Sequence, residues 1–304
     1  MRTLRSVICS VGVVLAGCAM LSQSPTSPRE GPVANASIHA TSQVLDDLYI
    51  ADYGNGQIVI LRHLKPHRTI TDGINGPQDV TLDASGNLYA VNTTGDNIAE
   101  YAPGASQPAF VYNAGMTFPV TVAVDRSGHV YEVDQETRHG SSLVNEYAQE
   151  SNTVMYSCPV TGKVVGVALD PAENVFISYI TADGGGRIAE YEGGIAAGCI
   201  PVLQGVHIDA PGGLVVDDND NIVLSDQLAR QVEIIPPPYR KVARKIDARF
   251  EDPYHISINQ ANTKIYVSDA LKNKVFILDY PSGKVAYVLG VYGYGAVKGP
   301  NEVH

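Results

Sequence analysis

Side chains that can bind a metal ion or move protons recur at one position of the sequence, the start of a short apolar segment. An alignment of these segments places six residues there: Asp79, Thr121, Gly166, Gly213, His255 and Glu302. One imidazole and two carboxylates at a common site could hold a divalent cation or act as an acid/base set. They could equally bind only water. We predict ligand-binding residues Asp79, Thr121, His255 and Glu302, assign no catalytic residue, and leave open whether a divalent metal is bound.

Turn chemistry explains the other conspicuous acids. Asp52, Asp134, Asp226 and Asp269 share one position in successive repeats, whereas a ligand site would need a single such residue. A carboxylate at this position can accept hydrogen bonds from backbone N–H groups of the following loop. The acidic run at 217–221 (DDNDN) lacks the spacing and the terminal Glu of a calcium-binding loop. We predict structural roles for all of them.

These positions belong to a unit that the chain repeats six times. Each unit contains an apolar strand ending in Asp or a substitute, together with a polar turn and further short strands. The six copies are LYIAD at 48–52, LYAVN at 88–92, VYEVD at 130–134, VFISY at 175–179, IVLSD at 222–226 and IYVSD at 265–269. Successive copies are 40, 42, 45, 47 and 43 residues apart, a period typical of β-propeller blades. The sequence therefore predicts an all-β fold, a six-bladed β-propeller with four antiparallel strands per blade.

The repeat resembles the NHL type. Its pattern, P-x-x-V-x-x-D followed by G-N-L-Y-x-x-D and N-x-I-x-x-Y, extends from about residue 44 to the end of the chain. The first part is clearest at 77–83, 119–125 and 211–217, while Lys163 and Val164 replace the expected proline in the fourth repeat. The start of each inner strand should face the mouth of the central channel. We expect a ligand there, beside the loops at 53–56, 93–96, 135–141, 180–186, 227–230 and 270–273.

The first residues have the features of an export signal. Two arginines precede a short apolar core at 7–15, and the run Leu-Ala-Gly-Cys at 15–18 resembles a bacterial lipobox. The resemblance implies cleavage before Cys18 and lipid attachment to it; an ordinary signal peptide with a coincidental cysteine is the alternative. We predict a signal peptide at 1–17, a flexible tether at 18–40 and the propeller at 41–304. The predicted location is the bacterial cell envelope, anchored in the outer membrane or in a periplasm-facing membrane.

Two segments of the sequence could supply the inner strand of the first blade. Residues 37–43 (SIHATSQ) make a poor inner strand, whereas 299–303 (GPNEV) echo the residues at 76–80 that open the second inner strand. A propeller joins its first and last blades to hide their edges. We therefore predict that the C-terminal segment contributes to blade one.

Two cysteines remain after those of the leader, Cys158 and Cys199. An exported protein permits a disulfide, but the repeat alignment places the two residues at opposite edges of neighbouring outer strands, too far apart for a bridge. Two buried thiols are the expected state, and a disulfide is the alternative.

Charge and composition limit the class of partner. The formal net charge is −11, the chain contains no Trp, and its densest basic run, at 240–244, lies in a strand-like segment. Such a chain is not expected to bind nucleic acid. We predict a monomer that meets the membrane only through its lipid and binds a small molecule or a protein at the channel mouth.

The preferred function is a ligand- or protein-binding scaffold. The alternative is a metal-dependent hydrolase or lactonase similar to the gluconolactonase-type propellers. The Glu-Gly-Pro signature of those enzymes has a counterpart at 30–32, but this lies in the predicted tether. A third possibility, an NHL-type lyase with histidine-bound zinc, has only His255 at the channel mouth.

Overall fold

Six antiparallel sheets follow one another along the chain, each with four strands paired in chain order. The computed structural model describes residues 38–40, 47–136 and 141–290. The first strands of neighbouring sheets contact one another, which places them around a central channel, and the fourth strands form the outer rim. The predicted six-bladed β-propeller is confirmed.

The blades have the following strands. Blade one contains β1 (Ile38–Ala40), β2 (Asp47–Asp52), β3 (Gln57–Arg62) and β4 (Lys65–Ile70). Blade two contains β5 (Pro77–Leu82), β6 (Leu88–Asn92), β7 (Asn97–Tyr101) and β8 (Phe110–Tyr112). Blade three contains β9 (Pro119–Val124), β10 (Val130–Glu136), β11 (Ser141–Tyr147) and β12 (Val154–Thr161). Blade four contains β13 (Lys163–Leu169), β14 (Val175–Ile180), β15 (Gly186–Tyr191) and β16 (Val202–Leu203). Blade five contains β17 (Pro211–Val216), β18 (Ile222–Asp226), β19 (Gln231–Ile235) and β20 (Arg244–Ile246). Blade six contains β21 (Pro253–Ile258), β22 (Lys264–Asp269), β23 (Lys274–Asp279) and β24 (Lys284–Gly290).

The inner strand of blade one is β1, which pairs with β2 and contacts the inner strands β5 and β21. This segment lies within 18–40, the range for which the sequence predicts a tether, and it belongs to the stretch at 37–43 that makes a poor inner strand by sequence. Residues 38–40 therefore fill the inner position of blade one, and a contribution of the C-terminal segment to this blade stays a prediction. Residues 299–303 themselves lie outside the described residues.

Hydrophobic clusters fill the seams between neighbouring blades. Between blades two and three, Tyr89 packs with Val122 and Tyr147. Between blades six and one, Tyr266 and Ile277 pack with apolar residues of β2 and β3. The last seam is thus packed like the others, and the ring is closed by described residues.

The predicted turn chemistry is confirmed in the link between the first and second strands of a blade. In blade two, Oδ1 of Asp83 accepts hydrogen bonds from the backbone N–H groups of Ser85 and Asn87, each at 2.8 Å. Asp217 makes the same contacts with Asn219 and Asn221 at 2.9 and 2.8 Å, so the acidic run at 217–221 forms a turn.

The recurring acids at the end of the second strands also have structural roles. Asp226 accepts from the N–H of Ala229 in the following loop at 3.0 Å, as predicted, and from the N–H of Asp209 in the preceding loop at 2.9 Å. Asp269 likewise accepts hydrogen bonds from the backbone N–H of Lys272 in the following loop at 3.0 Å and from that of Glu251 in the preceding loop at 2.8 Å. Each carboxylate therefore fixes two loops on one side of the ring.

Cys158 and Cys199 form a disulfide, with Cα atoms 5.1 Å apart, so the expectation of two free thiols is wrong. The alignment failed because the outer strand of blade four begins only at Val202, and not at Cys199. The segment before it turns back onto blade three, where Ile195 packs in the same cluster as Cys158. The bridge therefore joins the outer rims of two blades.

Of the basic run at 240–244, which was expected to lie in a strand, only Arg244 belongs to one, β20 (Arg244–Ile246). Among the described residues, no helix has the length and apolar character needed to cross a membrane.

Candidate functional site

The central channel contains a cavity of about 260 Å³, lined by the inner strands of blades two to six. Five of the residues that the alignment placed at the channel mouth border this cavity: Asp79, Thr121, Gly166, Gly213 and His255. The alignment therefore identified residues that the fold brings together. Glu302 lies outside the described residues.

Asp79 links two blades. Its Oδ2 accepts hydrogen bonds from Thr121 Oγ1 at 2.8 Å and from the N–H of Val122 at 3.1 Å, both in blade three. Its Oδ1 accepts from the N–H of Val80 at 2.8 Å. The inner strand has no neighbour on its channel side, so these N–H groups need another acceptor. The buried carboxylate supplies it, and this role needs no ligand.

His255 belongs to the inner strand of blade six. Its Nδ1 lies 3.8 Å from Oδ1 of Asp79 in blade two. Burial lowers the pKa of His255 and outweighs the opposing effect of the Asp79 charge, so the ring is neutral near pH 7. Its Nε2 and the Oγ of Ser257 are buried without a hydrogen-bond partner among the described residues. These are the polar groups that the channel offers to a small ligand.

Tyr254 covers the mouth at which a ligand was expected. Its ring packs with Val165 of blade four and Ala270 of blade six. Its hydroxyl accepts a hydrogen bond from Gln78 of blade two at 2.8 Å, and Gln78 in turn accepts from Thr93 at 2.9 Å. The side chains at the opposite ends of the inner strands are partly exposed. Within the described structure, the channel is therefore closed on the loop side and more open on the turn side.

The glycines of blades four and five serve close packing. A Cβ at Gly213 would lie 3.2 Å from the Cα of His255, and one at Gly166 would lie 3.0 Å from the Cα of Gly213. A Cβ at Gly212 would lie 2.4 Å from the carbonyl oxygen of Tyr254. These residues let neighbouring inner strands approach one another, which accounts for the glycines without a ligand.

The described residues contain no group of three or more His, Cys, Asp or Glu side chains that could hold a metal ion. His255 and Asp79 are two such side chains, and the third predicted member, Glu302, is not described. Whether the channel binds a divalent metal stays open.

A second candidate site lies on the outer rim. Eight large hydrophobic side chains are exposed in the described structure, and six belong to blades three and four. We call these six residues the rim patch: Val154, Met155, Tyr156, Ile200, Val202 and Leu203. Ile200 is 92% exposed. The disulfide at the preceding Cys199 holds Ile200 beside β12, since Cys199 Sγ lies 3.5 Å from the carbonyl oxygen of Ser157 in that strand. Clustered exposed apolar residues mark interaction surfaces.

The rim patch includes an unusual sheet edge. Proteins protect edge strands by keeping them short or by placing Lys or Pro on them. Among the six outer strands, β8, β16 and β20 have two or three residues, β4 carries Lys65, Pro66 and Arg68, and β24 begins with Lys284. Strand β12 has eight residues, VMYSCPVT, without a charge, and its first four are exposed. It is the one long, uncharged outer edge among the described strands.

Comparisons with known proteins support the fold. No protein-family model matches the chain, and no curated protein matches it significantly. Among solved structures, hydrazine synthase of Kuenenia stuttgartiensis has a TM-score of 0.63 at 10% identity, covering 81% of this chain and 83% of that one.

Two further structures show the same relation. Virginiamycin B lyase from Staphylococcus aureus has a TM-score of 0.54 at 10% identity, over 86% of both chains. A chain of a nidogen/laminin complex has a TM-score of 0.62 at 15% identity, covering 78% of this chain and 91% of that one. What they share with this chain is the propeller fold. At these identities they indicate no activity, and the NHL resemblance stays a prediction.

Sequence reasoning missed Tyr254 and the rim patch. Tyr254 precedes His255, at a position where blades three, four and five have Val120, Val165 and Gly212. In the alignment, the larger side chain and the hydroxyl of Tyr254 distinguish it from the residues at this position in the other blades, and this difference could have identified it. The charge-free run at 154–158 was likewise visible, but its exposure depends on how the blades pack.

Proposed function

We propose that this chain is a protein-binding module whose binding surface is the rim patch. The observation that carries the proposal is the edge of β12, a long strand without charges beside the exposed Ile200. Such an edge can accept an extended partner segment as an added strand, with backbone hydrogen bonds for affinity and side-chain contacts for specificity. Pro159 has no N–H to donate, so we assign the docking strand to 154–158.

The charges around the rim patch favour a partner segment that is both apolar and basic. Glu192 borders a groove beside Ile200 and Val202, and Glu190 and Glu192 border another beside Leu203, where Arg240 is the opposing cation. The whole chain carries a formal charge of −11. Alternating apolar and Lys or Arg side chains would match both properties.

Export and lipid attachment at Cys18 are further parts of the proposal. The disulfide supports export, since such bonds persist mainly in oxidising compartments. The Leu-Ala-Gly-Cys run supports the anchor. We also propose that the repeats are of the NHL type and that the protein is a monomer. Binding of a small ligand in the channel would be a second function, independent of the rim patch.

Peptide selection against the full-length protein tests the rim patch. Short random peptides that bind it should be rich in alternating apolar and basic residues. Their affinity, measured by fluorescence anisotropy, should fall at least about tenfold in Tyr156→Lys and Ile200→Lys. Leu228→Lys and Leu271→Lys change exposed leucines outside the patch and should bind the peptides normally.

Two outcomes would overturn the proposal. One is equal binding of the selected peptides by the rim variants and the leucine controls. The other is a dimer, detected by sedimentation velocity, that Ile200→Lys dissociates, because the occupant of the patch would then be a second copy of the chain.

A further inference from the structure

The two exposed leucines outside the rim patch lie at equivalent positions of neighbouring blades. Leu228 and Leu271 are each the second residue after a loop-fixing acid, Asp226 or Asp269, in the loops of blades five and six. They are 63% and 43% exposed. Because Asp226 and Asp269 bind the backbone of these loops, both leucines are held on one side of the ring.

Cationic side chains accompany both leucines. Arg230 belongs to the loop of Leu228, Lys272 follows Leu271, and Lys274 and Arg249 lie beside them in blade six and in the segment that precedes it. The charge of Arg230 acts on Asp252, whose carbonyl oxygen accepts a hydrogen bond from the N–H of Ala270 at 2.9 Å. The two loops therefore form one surface, which we call the leucine face: Leu228, Arg230, Arg249, Leu271, Lys272 and Lys274.

The leucine face includes a groove with an apolar floor. It has a volume of about 550 Å³ and is bordered by Arg249, Lys272, Lys274 and one carboxylate, that of Asp247, over Phe276, Val285 and Val288. Lys272 Nζ lies 5.7 Å from the centre of the Phe276 ring. Three cations and one carboxylate thus border an apolar recess, an excess of positive charge that fits an anion attached to a hydrocarbon chain.

Counted over its exposed and half-buried side chains, this face carries a charge opposite to that of the whole chain. Its four cations face two exposed carboxylates, Asp247 and Glu251, while Asp226, Asp252 and Asp269 are buried. Lys272 lies 3.9 Å from Glu251, but the guanidinium of Arg249 and the ammonium of Lys274 make no hydrogen bond or ion pair with any described residue. In a protein of charge −11, cations left without partners point to an anionic partner.

We propose that the leucine face docks on a membrane surface that contains anionic lipids. The leucines enter the boundary between head groups and acyl chains, the groove accepts part of one acyl chain, and the cations lie at the level of the phosphates. This inference goes beyond the proposed function and replaces the expectation that the protein meets the membrane only through its lipid. It does not use the rim patch, which lies two seams further around the ring and remains accessible to a partner.

The absence of Trp from the chain gives a clean experiment. Full-length Leu228→Trp and Leu271→Trp each carry a single tryptophan on the leucine face, and Ile200→Trp carries one on the rim patch. Each is mixed with vesicles of brominated phosphatidylcholine, alone or with phosphatidylglycerol. Emission of the two leucine-face variants should be roughly halved by the anionic vesicles and much less by the neutral ones, because tryptophan there contacts the acyl chains. Ile200→Trp should show no such difference.

A charge variant tests the cations separately. Lys274→Glu in the Leu271→Trp background should abolish the difference between anionic and neutral vesicles. Thermal melting should show an unchanged fold, because the Lys274 ammonium makes no hydrogen bond or ion pair with a described residue. Equal quenching at all three tryptophans, or none on the leucine face, would overturn the proposal. So would a response to soluble polyglutamate with no response to vesicles, since the partner would then be an acidic protein.

Discussion

Asp252 is the side chain whose ionisation the fold alters most clearly. It is 7% exposed and lies near Asp269. Burial, reinforced by the charge of Asp269 and opposed by that of Arg230, raises its pKa to about 6. A carboxyl group with a raised pKa in the folded state stabilises the protein at low pH, and this contribution is lost as the pH rises through the folded value.

Asp252→Asn should therefore stabilise the protein at pH 8 by about 1–3 kcal/mol and leave it unchanged at pH 4. The uncharged amide avoids the cost of burying a carboxylate next to Asp269. Urea unfolding of both proteins across this pH range gives the difference directly. A difference that is constant with pH would show that Asp252 does not titrate in this range.

Asp79 is assigned a structural role that mutation can test. Asp79→Ala leaves the N–H groups of Val80 and Val122 and the hydroxyl of Thr121 without their acceptor. The free energy of unfolding should fall by about 2–4 kcal/mol. Asp218→Ala is the control, because that carboxylate is exposed and makes no hydrogen bond with a described residue, and should cost less than about 0.5 kcal/mol. If Asp79→Ala behaves like the control, the residue is available for a ligand.

At the scale of elements, the disulfide determines how two outer rims meet. Cys158 lies in β12, and Cys199 lies between the turn at Ile195–Ala197 and β16, which has only two residues. A strand as short as β16 cannot fix the preceding segment by pairing alone. The covalent link and the packing of Ile195 therefore hold Ile200 beside β12.

Cys199→Ser removes the bridge and places the new hydroxyl at an exposed position. The bridge joins residues 41 apart in sequence, so its loss should lower the free energy of unfolding by about 2–4 kcal/mol. Peptides selected on the rim patch should also bind more weakly, because Ile200 is no longer held in place. Wild-type protein treated with reductant should match the variant in both urea unfolding and anisotropy; unchanged peptide affinity would mean that β12 alone forms the site.

At the scale of the whole molecule, the seams contain buried carboxyl groups. Third strands contribute Glu100, Glu146 and the half-buried Glu190 at one repeat position and Glu233 one position earlier, and blade three adds the fully buried Glu132. In each case burial is the largest cause of a raised pKa, and it is strongest for Glu132. The third-strand repeat contains Glu100, Glu146 and Glu190 just before its Tyr, but only the stacking of blades makes these acids costly to ionise.

The protein should consequently be more stable at pH 5 than at pH 8. Raised carboxyl pKa values give stability that is present below about 4.5 and is lost as the pH rises through the folded values. His255 opposes this, because its lowered pKa removes stability below about 6.5. With five such glutamates and Asp252 against one histidine, we expect a difference of at least about 2 kcal/mol in urea unfolding. Glu132→Gln should reduce it, and stability that rises toward pH 8 would contradict the account.

Much of the architecture follows from local sequence. Alternating apolar strands with Asp, Asn and Gly turns at a regular spacing specify hairpins, and Asp83 and Asp217 form the turns that their types favour. The same alignment placed Asp79, Thr121 and His255 around one cavity. Each of these features depends on residues within one repeat unit, or on the equivalence of units, and both are visible in a linear sequence.

Contacts between repeat units were decided only by the tertiary structure. Tyr254 reaches blades two and four because Gly212 and Gly213 leave space in blade five, and Cys199 reaches Cys158 because the chain turns back onto the previous blade. The exposure of β12, Leu228 and Leu271 likewise depends on which surfaces the ring leaves uncovered. By itself, the sequence determined a six-fold repeat of four strands and the position of the channel residues. The closed mouth, the disulfide and the two exposed surfaces came from packing between blades, because such contacts join residues that no periodicity relates.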